Sequence, residues 1–284
     1  MEINVQTQFC GVIGNPVAHS LSPAIHNAAF KERGLNYVYL AWKVEAIGDA
    51  LKGLRVLGNF RGASVTIPHK VSAISFLDHV EGPAKEIGAV NTIVAERGQL
   101  IGYNTDATGA IRALKEGGVD ITGRSIAMLG SGGAARAIAF ALAAEPGVNK
   151  LTLLGVDDKE RTMLAADLRS RTALTVDAFP LNETTLGRVL PKAQVLIHCT
   201  PVGMFPDSAA TCVPVSFLHS QLAVMDIVYN PRETQLLKNA KRAGCKTIPG
   251  LEMFLNQAAV QFELWTHHPA PVDVMRRVLE SHFP

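Results

Sequence analysis

Short apolar runs alternate along the chain with stretches in which apolar residues recur every three to four positions, the pattern of strands interleaved with amphipathic helices. In the first third, residues 9–14, 37–44 and 62–67 predict strands, and residues 23–33 and 46–57 predict helices between them. Pro23 suits a first helical turn, with Ser22 as its N-cap and Gly34 as its stop. Pro68 is placed to open another helix, through about residue 77, which sets Lys70 in a first turn where the dipole disfavours a cation. Residues 86–94 read as a strand carrying a polar Asn91-Thr92 pair. A hairpin turn at Arg97-Gly98 then leads through residues 99–106 to a helix over 107–115, for which Asn104, Thr105 and Asp106 all suit capping.

From Gly123 the texture changes. Apolar runs at 125–130, 150–154, 174–179, 194–199 and 222–228, with helical stretches between most of them, form a βαβ series and predict a parallel, doubly wound sheet. Its first strand runs into Gly130-Ser131-Gly132-Gly133-Ala134-Ala135-Arg136 and a small-residue helix. Glycine there admits φ > 0 and lets a pyrophosphate approach the free amides at the positive end of the helix; a plain tight turn has the same glycines but not the flanking strand and helix. The second strand ends in Gly155-Val156-Asp157-Asp158. A carboxylate at that tip accepts hydrogen bonds from the adenine ribose and repels a 2′-phosphate, which favours NAD over NADP, although either aspartate also suits the N-cap of the next helix. Residues 250–265 predict a long amphipathic helix bearing Asn256 and Gln257, and residues 272–279 a closing one.

Composition narrows the possibilities. At 284 residues, with 48% hydrophobic and 18% charged residues and a net charge of +2, the chain reads as a globular protein of two domains, its partner a small molecule and not a nucleic acid. Cys10, Cys199, Cys212 and Cys245 are widely spaced, which suggests buried thiols in a reducing compartment and neither zinc nor a disulfide framework. The nine histidines form no HxxxH or HExxH spacing, so no metal is expected; His267-His268 reads as a charge complement at a helix end. The first residues lack a leader pattern and no apolar run reaches the roughly 20 residues of a membrane span, so the expectation is a cytoplasmic monomer or homodimer. Ser20 and Ser22, two hydroxyls beside His19 in a strand-to-helix loop, suit a carboxylate ligand as well as the cap.

Six stretches in series, Gly14-Asn-Pro-Val-Ala-His-Ser-Leu-Ser-Pro23, Ser64-Val-Thr-Ile-Pro-His-Lys70, Gly88-Ala-Val-Asn-Thr92, Gly102-Tyr-Asn-Thr-Asp106, Gly130-Ser-Gly-Gly-Ala-Ala-Arg136 and Gly250-Leu-Glu-Met-Phe-Leu-Asn-Gln257, resemble the shikimate dehydrogenase family, including its quinate/shikimate branch. The resemblance implies an α/β protein with an N-terminal substrate domain, residues 1–105, completed by C-terminal helices over 251–284. It implies a Rossmann domain over 106–250, and an active site in the cleft between the two. It assigns Ser20 and Ser22, with Tyr229, to the substrate carboxylate, Thr66, Asn91, Asp106 and Gln257 to ring hydroxyls, and Lys70 with Asp106 to catalysis. Gly130, Ser131, Gly132, Gly133, Ala134, Asp157, Thr200, Val202, Met204 and Gly250 fall to the dinucleotide. The implied reaction is hydride transfer between shikimate and 3-dehydroshikimate, with NAD as cofactor and NADP possible; Lys70 either exchanges the proton or stays charged against the developing alkoxide. Quinate or an aminoshikimate-like acid is the alternative substrate, and a non-catalytic NAD-binding sensor the alternative function, which retention of both Lys70 and Asp106 disfavours.

Three departures from the family pattern stand out. Gly155-Val156 occupies the place of an Asn-Arg pair whose arginine grips the 2′-phosphate, His198 replaces the asparagine of Asn-x-Thr-x-x-Gly-Met, and Ser64 that of Asn-Val-Thr.

Overall fold

The computed structural model describes residues 2–283. The chain divides into two compact units, one running to Thr105 and resumed from Gln257, the other spanning Asp106–Asn256.

In the first unit the elements are β1 (Gln8–Gly14), α1 (Ser22–Glu32), β2 (Tyr37–Lys43), α2 (Ile47–Arg55), β3 (Phe60–Val65), β4 (His79–Val80), α3 (Gly82–Ile87), β5 (Thr92–Glu96) and β6 (Gln99–Tyr103). The sheet order is β2-β1-β3-β5-β6-β4. β1 pairs in parallel with β2 and β3, whereas β5 is antiparallel to β3 and β6, joined to β6 by a turn with both Arg97 and Gly98 at positive φ. Because β5 runs backwards, its start lies at the same sheet edge as the ends of β1, β3 and β6: Ser64 pairs with Thr92, and Thr92 with Tyr103. Ile13, Leu51, Phe60, Val65, Ile93 and Leu100 form the core beneath α2.

The expected βαβ series occupies the second unit, after α4 (Thr105–Glu116). It comprises β7 (Ile126–Leu129), α5 (Gly133–Ala144), β8 (Lys150–Gly155), α6 (Asp158–Arg171), β9 (Thr175–Pro180), α7 (Glu183–Val189), β10 (Val195–His198), β11 (Ala223–Asp226), α8 (Gln235–Arg242) and β12 (Lys246–Pro249). All its strands are parallel, in the order β12-β11-β10-β7-β8-β9. That is the doubly wound dinucleotide order, and its switch point falls between β7 and β10. β7, β10 and β11 are buried at every position, as strands covered on both faces must be. His198 and Asp226, at their ends, are the exceptions to an otherwise apolar set. Two further helices, α9 (Gly250–Thr266) and α10 (Val272–Ser281), complete the chain.

Three local expectations are corrected, and one strand was not anticipated. Ser22 is not an N-cap: it is the first residue of α1, preceded by Leu21 in helical conformation, and its N–H donates to Ser20 Oγ at 3.3 Å. Pro68 opens no α-helix. Lys70 lies in a turn, because its carbonyl accepts Val90 N–H at 2.8 Å and is thereby lost to helical pairing; a 3-10 turn follows only at Ser72–Phe76. Residues 86 and 87 end a helix instead of opening a strand, since Pro83 sits in the first turn of α3 and Gly88, at φ +70°, supplies its left-handed C-cap. Finally β12, four residues with a lysine at its start, carries too short an apolar run to be read as a strand.

The four cysteines are free thiols, and among the described residues no helix is long and apolar enough to cross a membrane. Within the first unit His26, on α1, is fully buried and stacks on Tyr39 at 4.5 Å, with Trp265 of α9 at 5.2 Å. Burial lowers its pKa to about 3, against a smaller opposing influence of Gln261. The unfolded chain therefore binds the proton first. Stability that His26 contributes is intact above about 6.5 and is lost as pH falls towards 3, at about 1.4 kcal/mol per pH unit. In urea titrations between pH 7 and 4, wild type should lose stability relative to His26→Phe at that slope; a pH-independent difference contradicts it.

Candidate functional site

The polar residues singled out in the first unit gather at the sheet edge where β1, β3 and β6 end and β5 begins. β1 and β3 are zipped together beyond their ends by Thr66 N–H to the Ile13 carbonyl at 2.9 Å and Asn15 N–H to the Ile67 carbonyl at 2.8 Å. The loop carrying Ser20 and the turn carrying Thr66 and Lys70 thus leave from adjacent strands. His69 steadies that turn, its buried ring 2.7 Å from the Val44 carbonyl. Immediately before β5 stands Asn91, 3% exposed, whose Oδ1 accepts the backbone N–H of Thr105 at 2.7 Å.

A buried chain of hydrogen bonds runs under this edge in one direction. Tyr39 Oη lies 2.6 Å from Ser64 Oγ, and the Ser64 hydroxyl donates to Gln261 Oε1 at 2.9 Å, which leaves Tyr39 as the donor to Ser64. Gln261 Nε2 donates to Thr92 Oγ1 at 2.8 Å, Thr92 to Asn91 Oδ1 at 2.8 Å and Asn91 Nδ2 to Thr105 Oγ1 at 3.0 Å, and the Thr105 hydroxyl shares its proton between Asn91 Oδ1 at 3.3 Å and Gln257 Oε1 at 3.4 Å. Burial raises the Tyr39 pKa, keeping the phenol neutral and able to start the chain. Asn91 and Gln257 are thereby held in fixed orientation. Tyr39 and Gln261 were not among the residues singled out from the sequence, and Thr92 was noted only as the polar neighbour of Asn91. Gln261 is legible in hindsight, one helical turn beyond Gln257 on the same face of α9. Ser64, a departure from the family pattern, proves to be the link between Tyr39 and Gln261.

In the second unit, Asp106 stands in the first turn of α4, 7% exposed, where the helix dipole favours a carboxylate. Tyr229 stacks on Phe254 with ring centroids 4.5 Å apart; burial raises its pKa, so the phenol remains a neutral donor. The glycine turn lies at the switch point. Gly130 adopts φ +107° and a Cβ there would fall 2.7 Å from the Cys199 carbonyl, so both conformation and space require glycine. α5 begins after Gly132 with no side-chain cap, leaving its first amides open to an anion. Ser131 packs against β8 at Gly155, where a Cβ would lie 2.9 Å from Ser131 Oγ. Thr200 and Val202 are half-buried in the turn after β10, Met204 is exposed, and Gly250 is the buried first residue of α9.

At the β8 tip, Asp157 is the N-cap of α6, accepting Glu160 N–H at 2.8 Å with Oδ1. The capping role is thus realised by Asp157, whereas Asp158 pairs with Arg161, whose guanidinium also donates to the Gly155 carbonyl at 2.8 Å. Val156 is 82% exposed beside them. Among the described residues no cluster of three or more His, Cys, Asp or Glu is placed to hold a metal ion.

Comparison with known proteins agrees with this geometry. Residues 12–93 match the family model of the shikimate dehydrogenase substrate binding domain, and residues 250–280 that of the shikimate 5′-dehydrogenase C-terminal domain. A shikimate dehydrogenase (NADP(+)) of Methanopyrus kandleri is 43% identical over 288 residues, covering 99% of this chain and 98% of the relative. The structure of shikimate 5-dehydrogenase from Listeria monocytogenes in complex with shikimate and NAD superposes with a TM-score of 0.91 at 38% identity, covering 98% of each chain. Quinate dehydrogenase from Corynebacterium glutamicum in complex with NAD gives 0.89 at 30% identity, covering 97% of this chain and 99% of that one. With the expected motifs, a doubly wound sheet and relatives matched end to end, the chain belongs to the shikimate dehydrogenase family.

Proposed function

We propose that the protein is an oxidoreductase interconverting shikimate and 3-dehydroshikimate with a nicotinamide dinucleotide. The observation that carries this reading is the directional hydrogen-bond chain ending on Asn91 and Gln257: a polyhydroxylated acid needs fixed amide and hydroxyl partners, and the sheet edge supplies them. The unit ending at Thr105 takes the acid, and Asp106–Asn256 the dinucleotide. In this reading Ser20, Ser22 and Tyr229 bind the carboxylate. Thr66, Asn91, Asp106 and Gln257 bind ring hydroxyls. The relatives named for shikimate and quinate bound with NAD support the substrate class.

The dinucleotide, when bound at Gly130–Ala134 and the turn of Thr200, Val202 and Met204, with Gly250 beside it, accepts or returns the hydride. The chain's own task is the proton. Lys70 contacts the reacting oxygen and, with Asp106 as its partner, takes the hydroxyl proton as the carbonyl forms and returns it in reduction. In an assay of shikimate oxidation followed by reduced-cofactor absorbance, Lys70→Ala should lower kcat by about a hundredfold or more. Undiminished turnover by that variant, or none by wild type with either dinucleotide, contradicts the scheme.

For the choice of dinucleotide, NAD is favoured. Val156 stands where an arginine would grip a 2′-phosphate, Asp157 presents a carboxylate at the same tip, and the Arg161 guanidinium is engaged by Gly155 and Asp158. The Methanopyrus kandleri relative, by contrast, is named for NADP(+). The ratio of kcat/KM for NAD over NADP should exceed one, and Val156→Arg should shift it towards NADP by about tenfold. A wild-type preference for NADP would mean that other cations near the tip hold the phosphate.

A further inference from the structure

The dehydrogenation scheme leaves unused a buried charged chain at the end of β10. His198 and Asp226 face each other in register on adjacent strands and are 1% and 0% exposed. His198 Nδ1 lies 2.8 Å from Asp226 Oδ1, which also accepts Val228 N–H at 3.0 Å; Asp226 Oδ2 accepts the Thr234 hydroxyl at 2.6 Å. Three hydrogen bonds around one buried carboxylate fix its orientation. The other ring nitrogen, Nε2, lies 2.5 Å from Thr200 Oγ1, and Val202 N–H donates to that same oxygen at 3.2 Å.

The charge on the imidazole decides what Thr200 can do. Burial alone would lower the His198 pKa, but the hydrogen bond to Asp226, the Cys212 sulfur from the loop before Val215–Phe217 and the Asp226 charge more than offset it, raising it to about 9. The neighbouring Cys199 thiol is pushed up by burial and by Asp226, and stays neutral. As an imidazolium, His198 donates from both nitrogens. Thr200 Oγ1 then accepts two N–H groups, and its own proton has to point elsewhere. Thr200 is half-buried against the glycine turn: a Cβ on Gly130 would lie 3.3 Å from Thr200 Cγ2.

We propose that His198 is a positioning residue for the dinucleotide: held between Asp226 and Thr200, it fills the acceptor sites of the Thr200 hydroxyl and so commits that hydroxyl's proton to an acceptor on the cofactor. The inference rests on the dinucleotide reading above. When His198 is neutral with Nδ1–H still on Asp226, Nε2 becomes the acceptor and the Thr200 hydroxyl turns inward.

The test is the Kd of NAD, by calorimetry on the intact protein, for wild type, His198→Asn, Thr200→Val, the double variant and Asp226→Asn, across pH 6–10. His198→Asn and Thr200→Val should each weaken binding about tenfold, and the double variant no more than either alone, because both remove one donated hydrogen bond. Wild-type affinity should be level to pH 8 and fall as pH rises through about 9; His198→Asn should lack that step and Asp226→Asn should move it to lower pH. Additive effects, an unchanged Kd in His198→Asn, or a level wild-type profile through pH 9 overturns the proposal. If His198→Asn does not fold, the wild-type profile and Thr200→Val decide it alone. Failure of wild type to bind either NAD or NADP at any pH overturns the dinucleotide reading as well, and so is distinct from the other outcomes.

Discussion

A continuous chain of hydrogen bonds among the polar side chains buried under the first sheet is the constraint on which that unit most depends. From Tyr39 through Ser64, Gln261 and Thr92 to Asn91, each side chain donates to the next, and Thr105 links Asn91 to Gln257. Leaving one such group unpaired costs about 1–3 kcal/mol, so the chain acts as a single device in which no member is exchanged freely. It also selects the topology. Ser64 and Thr92 meet because β5 is antiparallel to β3, and Gln257 and Gln261 reach the same edge from successive turns of α9. Trp265, a further turn along, fastens that helix by donating to the Ile93 carbonyl at 2.9 Å.

The second unit solves the opposite problem. Its parallel sheet is apolar almost throughout, and its polarity is confined to strand ends at the switch point, where glycine replaces side chains and the first amides of α5 are left open. An open helix N-terminus is costly unless something occupies it, and a dinucleotide pyrophosphate is the natural occupant. Beside it the His198–Asp226 pair brings polarity into an otherwise apolar layer, tolerated because both carboxylate oxygens are hydrogen-bonded.

Much of this was legible in the sequence, and the failures have physical causes. Periodicity located the βαβ series because strands covered on both faces are continuous apolar runs, and the glycine turn was evident from its neighbours. Pro68 misled because a proline marks the start of a helix only when the carbonyls that follow are free, and Lys70 gives its carbonyl to Val90. Residues 86 and 87 misled because a short helix ended by glycine can mimic strand alternation. Ser20 and Ser22 were recognised as a pair, but Ser22 lies inside α1, which has no side-chain cap, and Ser20 Oγ accepts the Ser22 N–H. Asp157 carried two readings, and the capping bond to Glu160 is realised. Tyr39, Gln261 and Asp226 were missed because a buried polar network has no sequence period of its own; only the spacing of Gln257 and Gln261 offered a clue.

The most direct test of the chemistry follows the hydride itself. Shikimate carrying deuterium at the carbinol carbon that is oxidised is incubated with the protein and NAD or NADP, and both products are analysed by mass spectrometry and NMR. Direct transfer predicts deuterium at C4 of the reduced nicotinamide and none on the ketone carbon. Reduced cofactor without the label, or label still on the acid after turnover, contradicts hydride transfer from shikimate as the reaction of this protein.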